Sequence, residues 1–472
     1  MNLTRTLGRC AVLALACLAM GQSPAQDLSP ADLARRSVER RAVEAALWGM
    51  PLVNFDAMRQ AYFRDAGAQY NDLIYWSRPS DWKNQTTTPN NSTLYVMFFA
   101  NLKDGPVVVD VPPARDVALF GTLIDSWNLP LIDVGDDGQD KGQGGKYLLL
   151  PPGWKGEVPA GHIAVPSAMF NVYSLMRVSP KAGASADFSG SNAYIRQLRV
   201  YPLAAAAAPA PQRAIDMIDK RYEAIAPYDA GFYTMLARMV AEEPALPRDQ
   251  IPLGQLRSLG IAKGAAFQPD AAANAVLGRA AAEAHANMVE GFRRAGARFW
   301  PVRQWRLLAD TEVVRTRLSF VADGRLLVDE RAYLFFGAFG APKNPAPNLY
   351  VKAYEDAQGK PLDGAASYRL RVPANVPTQQ FWSLNAYDKA TAGFIREAAV
   401  VGLDSYNPRL QKNADGTVDL YLSPTPPPGR ESNWIATAPG RPFFLMFRIY
   451  VPERAVLARS SGWSLADIER LN

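Results

Sequence analysis

An uncharged polar run, Thr86-Thr87-Thr88-Pro89-Asn90-Asn91-Ser92-Thr93-Leu94-Tyr95, leads directly into an apolar segment. Amides both donate and accept hydrogen bonds, and hydroxyls do either, so Asn90, Asn91, Thr93 and Tyr95 suit the orientation of a polar ligand. The same side chains also build Asx and Ser/Thr turns at a strand entrance, and both readings stand. Tryptophan combines an apolar face with a polar handle, which suits stacking on sugars or planar ligands. Trp127, Trp382 and Trp434 lie beside polar residues and, with Lys146 and Asn433, complete the expected ligand-binding set.

For acid–base chemistry the carboxylates to consider are Asp125, beside Trp127, and Glu431, beside Asn433 and Trp434, with Lys146 or Arg177 as electrophile. Paired carboxylates can divide the acid and base roles. Only His162 and His285 are present, which excludes a multi-histidine metal site. The acidic stretch Asp133, Asp136, Asp137, Asp140 suits at most a weak calcium site through Asp133 and Asp137, because Gly135 occupies a ligand position and no Glu closes the loop. Gly142-Gln143-Gly144-Gly145-Lys146 fails as a phosphate loop: Asp140 stands at the first glycine position and Tyr147 follows the lysine. No cofactor motif is found.

The elements that must hold these residues follow from texture. Arg5 and Arg9, an apolar run from Cys10 to Met20 and Ser23-Pro24-Ala25 form a signal peptide over 1–25, which implies a periplasmic or secreted protein. Both cysteines fall in that segment, so thiolate catalysis and iron–sulfur chemistry are excluded from the mature chain. With 51 basic and 45 acidic residues spread along the sequence, there is no nucleic-acid stripe, and no later segment is long enough to span a bilayer.

Ser29-Pro30-Ala31-Asp32 opens a helix expected to run to Trp48. Short apolar runs between turn residues give a β domain over 26–202, with strands at Leu94 to Ala100, Pro106 to Val111, Leu119 to Ile124, Tyr147 to Leu150 and Met169 to Val178. A helical linker spans 203–299, with helices at Arg213 to Ile225, Gly231 to Glu242 and Ala271 to Arg294. In the last of these Leu277, Ala281, Ala284, Met288 and Phe292 form one stripe. Strand texture returns over 300–472, where Phe443 to Val451 reads as a central strand. The fold class is mainly β with a helical insert (α+β), as two β-sandwich or jelly-roll-like domains.

The sequence resembles bacterial exported cell-envelope proteins that carry paired domains of unknown function 1254 (N-terminal) and 1214 (C-terminal). The resemblance rests on Thr88 to Tyr95, Gly105 to Val108 and Gly142 to Pro152, then on Phe381 to Leu384, Lys412 to Gly416 and Glu431 to Ile435. Family members commonly have Asp where this chain has Ser92. The resemblance implies two jelly-roll-like domains with helices between them and a homo-oligomer, and it implies no agreed activity. Three functions stay open: binding of a polar small molecule or glycan, a metal-independent periplasmic hydrolase or lyase using carboxylate or tyrosine acid–base chemistry, and a structural envelope component.

Overall fold

The computed structural model describes residues 28–181, 187–344 and 348–471. The expected signal peptide and both cysteines lie outside the described residues. The fold is mostly β with a helical layer, as the sequence texture indicates.

The first helix, α1 (Pro30–Arg64), begins where its cap pattern places it, with the Ser29 hydroxyl accepting from the Asp32 N–H at 3.1 Å. It does not end at Trp48 but continues through Pro51. From Ala42 onward it is buried on nearly all sides, and this packing sustains a helix that a proline would otherwise interrupt. Asn128 Nδ2 donates to the Pro51 carbonyl at 2.7 Å.

Three longer helices pack on α1, α2 (Gly231–Glu242), α3 (Ala271–Arg294) and α4 (Val328–Gly337), and the short helix Gln250–Leu256 touches it as well. The stripe expected on α3 is buried throughout. Helix α4 was not expected after Trp300, although Asp329 and Glu330 in its first turn favour a helix start. Conversely, Arg213 to Ile225 is not helical. It supplies two short strands, Ala214–Asp216 and Tyr222–Glu223, each pairing in parallel with an earlier strand, so tertiary pairing overrides local helix propensity.

In the N-terminal half a seven-stranded sheet and a four-stranded sheet face each other across one apolar core. The longest strand, Asn171–Pro180, pairs with Val117–Asp125 on one side and with Leu94–Met97 and Phe99–Asn101 on the other. In the C-terminal half a five-stranded sheet places Phe443–Tyr450 between Asn348–Ala353 and Trp382–Asp388. It faces a four-stranded sheet built around Tyr368–Val372 and Val418–Ser423. A single large apolar cluster joins the helices to both halves, because the seven-stranded sheet turns its second face, with Ile74, Tyr95, Met97, Tyr173 and Leu175, toward them.

Candidate functional site

Side chains alternate between the faces of a strand, so pairing register decides which residues meet. In the five-stranded sheet Tyr350, Arg448, Ser383 and Asp404 are cross-strand neighbours on one face, with Tyr450, Asn385 and Tyr387 in adjacent rows of that face. The intervening residues Leu349, Val351, Leu445, Phe447, Ile449, Leu384 and Ala386 form the apolar face. In the seven-stranded sheet Tyr95 pairs with Arg177. This pair meets the polar face of the five-stranded sheet at the junction of the halves.

Arg448 is 3% exposed. Its Nη1 donates to Asn385 Oδ1 at 2.8 Å and its Nη2 to the Thr88 carbonyl at 2.9 Å, and its guanidinium lies 5.2 Å from the Tyr350 ring centroid and 5.6 Å from that of Tyr387. Arg177 lies over the Tyr95 ring at 5.8 Å, and its buried Nε has no partner among the described residues. Neither arginine is ion-paired to a carboxylate among the described residues. Asp404, two strands from Arg448, is at the sheet edge and accepts from the Tyr406 N–H at 3.0 Å.

Desolvation opposes both arginine charges. The surrounding tyrosines, Tyr350, Tyr95 and Tyr450 for Arg177 and Tyr387, Tyr450 and Tyr350 for Arg448, favour the charged form only once ionised, so at neutral pH they supply no countercharge. Burial pushes Tyr450 well above the usual tyrosine range, and Tyr350 adds to this while Arg448 and Arg177 oppose it. Its hydroxyl is a protonated donor at neutral pH. The Tyr450 and Ser383 hydroxyls are buried with no partner among the described residues.

The motif Thr88 to Tyr95 forms one wall of the junction. Asn90 Oδ1 accepts from the Ser92 and Thr93 N–H groups at 2.9 and 3.0 Å and from the Thr93 hydroxyl at 3.1 Å, while its Nδ2 donates to the Tyr95 hydroxyl at 2.8 Å. Asn90 and Thr93 therefore spend their polar atoms on a turn. Asn91 reaches across the junction: its Oδ1 accepts from Asn385 Nδ2 at 2.7 Å and its Nδ2 donates to the Gly402 carbonyl at 3.2 Å. A Cβ at Gly402 would come within 2.0 Å of Asn385 Nδ2, so only glycine leaves room for this bridge. Thr88 holds φ at 41°, unfavourable for a β-branched residue and doubly so before Pro89. Contacts from Ala392, Gly337 and Arg448 fix it there.

The remaining expected residues are placed elsewhere. Trp382 is buried on the opposite, apolar face and stacks on Phe447 at 5.5 Å. Asn433 clamps the carbonyls of Gln411 and Asp419 and the Gln411 N–H. Trp434 and exposed Glu431 line a cavity of about 470 Å³ in the C-terminal half. Trp127 lines a different cavity in the helical layer. Buried Asp125 caps the turn beside it by accepting from the Trp127 and Leu129 N–H groups. Asp125 and Glu431 thus do not form a pair. Lys146 is exposed on a strand of the four-stranded sheet, across from Asp110 and His162. Asp133 accepts from Thr122 and from the Lys343 and Asn344 N–H groups, Asp137 is exposed, and no group of three potential metal ligands forms among the described residues.

Sequence reasoning named Arg177 but missed Arg448, Tyr350, Tyr450, Ser383 and Asn385. A signal was present: Phe443-Phe444-Leu445-Met446-Phe447-Arg448-Ile449-Tyr450 carries one charge in the middle of an otherwise apolar and aromatic strand.

The architecture is that of two sandwiches coupled through a helical layer and a polar junction. Residues 70–202 match the protein of unknown function family DUF1254, and residues 347–454 match DUF1214. The chain belongs to the proteins that carry these two domains in this order. A crystal structure of a Vibrio parahaemolyticus protein resembles it with a TM-score of 0.55 at 18% identity, covering 92% of this chain and 100% of that one, which establishes a shared fold. An uncharacterised Burkholderia cenocepacia protein is more distant, with a TM-score of 0.41 at 13% identity over 92% of this chain and 94% of that one. No curated protein matches.

Proposed function

We propose that this chain is an exported binding protein for a small, hydroxylated anion such as a sugar acid, held at the junction between Arg177 and Arg448. The observation that carries this reading is a buried guanidinium, Arg448, and a half-buried one, Arg177, with no carboxylate partner among the described residues. An unpaired buried charge is costly, and a bound anion would compensate it through charge-assisted hydrogen bonds. The unpartnered hydroxyls of Tyr450 and Ser383 supply donors for further oxygens. Export rests on the apolar leader at 1–25. Among the described residues no helix is long and apolar enough to cross a membrane.

Binding is favoured over hydrolysis or elimination because the candidate carboxylates lie apart and burial keeps Tyr450 protonated rather than poised as a base. Isothermal titration with galacturonate, citrate, sulfate and neutral galactose tests the reading. Binding of one or more anions, with galactose inert and Arg177→Met reducing affinity about a hundredfold, is expected, since losing one partner of a buried charged contact costs about 2–5 kcal/mol. Anions that fail to bind, or that bind Arg177→Met as tightly as wild type, would overturn it.

A further inference from the structure

A separate cavity of about 310 Å³ opens between α1, α2 and the segment 244–263. That volume is within the range of small-molecule sites. Its walls are largely apolar, from Leu52, Met169, Met239, Val240, Leu253 and Ile261. Trp127, only 2% exposed, also lines it, and its indole Nε1 has no hydrogen-bond partner among the described residues. An indole N–H is a donor only, and burying one without an acceptor is unfavourable.

Other donors gather on the same indole. The Arg331 guanidinium lies 4.6 Å and that of Arg248 5.6 Å from the Trp127 ring centroid. Arg331 Nη2 donates to the Trp48 carbonyl at 2.9 Å and Arg248 Nε lies 3.7 Å from Asp249 Oδ2, but Arg331 Nε, Arg248 Nη2 and the neighbouring Ser126 hydroxyl are buried without a hydrogen-bond partner among the described residues. Nearby carboxylates are already engaged. Asp125 accepts from two backbone N–H groups, Asp249 from Trp48 Nε1 at 3.2 Å, and Glu243 from the Phe170 and Asn171 N–H groups and Asn171 Nδ2. Of the charged residues on the cavity wall, Glu243 and Asp249 are thus engaged, Arg257 and Lys263 are basic, and the Trp127 N–H is left without an acceptor among the described residues.

We infer that the cavity binds a monocarboxylic acid with an aliphatic chain, its carboxylate accepting from Trp127 Nε1, with the positive charge of Arg248 against the same indole, and its chain lying among Leu52, Met169, Met239 and Val240. Each part of the ligand answers one part of the site. The carboxylate supplies the missing acceptors, and the chain fills apolar space that water occupies poorly. This site is independent of the arginine–tyrosine junction and stands or falls separately.

Isothermal titration of the protein with octanoate, octanol and acetate is the test. Octanoate should bind, with octanol and acetate at least tenfold weaker. Trp127→Phe, which keeps a ring but removes the donor, should weaken octanoate about tenfold, and Leu253→Trp, which intrudes on the cavity from a partly exposed position, should weaken it at least as much. Arg177→Met, at the other site, should leave octanoate binding unchanged. Failure of octanoate to bind, octanol binding as tightly as octanoate, or an unaltered affinity in Trp127→Phe would overturn the inference.

Discussion

At the scale of single residues, the proposed anion site would put binding and stability in opposition. Arg177 contributes a charge with no carboxylate partner among the described residues and no role in a turn or cap. Replacing it by methionine should therefore stabilise the ligand-free protein by about 1–4 kcal/mol while removing anion binding, a trade that urea denaturation and titration together would detect. Asp125 makes a different prediction. Burial pushes its pKa up to about 7 from 3.8, with its two N–H donors and Arg248 opposing and Glu243 adding to the rise. The folded protein holds a proton between about pH 4 and 7 that the unfolded chain releases, so this residue makes stability fall as pH rises through that window and level off above it. Asp125→Asn keeps the Oδ1 acceptor and should flatten that fall, on the order of a few kcal/mol, in denaturation midpoints measured across pH.

Part of the site was legible at this scale. Thr88 to Tyr95 reads as a polar run before a buried strand, and Asn91 and Tyr95 do reach the junction. Trp382 shows why the rest was not. It belongs to the correct strand, but side chains alternate with a period of two, and the residue facing the junction is its neighbour Ser383. Parity in a strand buried on both faces is fixed by pairing partners far away in sequence. For the same reason the turn at Asn433 and Trp434, polar and aromatic like the first motif, serves the C-terminal sandwich instead.

At the scale of elements, α1 organises the molecule through a buried ionic network. Asp56 pairs with Arg59 at 2.7 Å and with Arg238 of α2, and Arg59 also pairs with Glu242 of α2 at 2.5 Å and donates to Asn171 Oδ1 at 3.0 Å. The network locks α1 to α2 and to the Asn171–Pro180 strand that carries Arg177. Asp56→Asn leaves buried guanidinium charge undercompensated and should cost about 3–5 kcal/mol by chemical denaturation. Helices α2 and α3 were legible because one apolar stripe at helical spacing meets the core. The continuation of α1 past Pro51 was not, since its second half is apolar on every side and shows no stripe, and the proline reads locally as a stop. The segment 213–225 reads as helix until the strands at 73–75 and 84–85 offer pairing partners.

At the scale of the whole molecule, the helical layer and both sandwiches share one apolar cluster, and the Tyr95–Arg177 pair meets the polar face of the five-stranded sheet at that cluster's edge. The junction is assembled from both matched domains: Thr88, Asn91, Tyr95 and Arg177 from one, and Tyr350, Ser383, Asn385, Arg448 and Tyr450 from the other. Neither half contains the arginine pair alone, so the proposed site needs both domains in one chain. The most direct measurement is a crystal structure of the protein with an anion identified by titration. The account predicts the anionic group between Arg177 and Arg448, within about 3 Å of guanidinium nitrogens of both. Density for the ligand elsewhere, with the junction filled only by solvent, would contradict it.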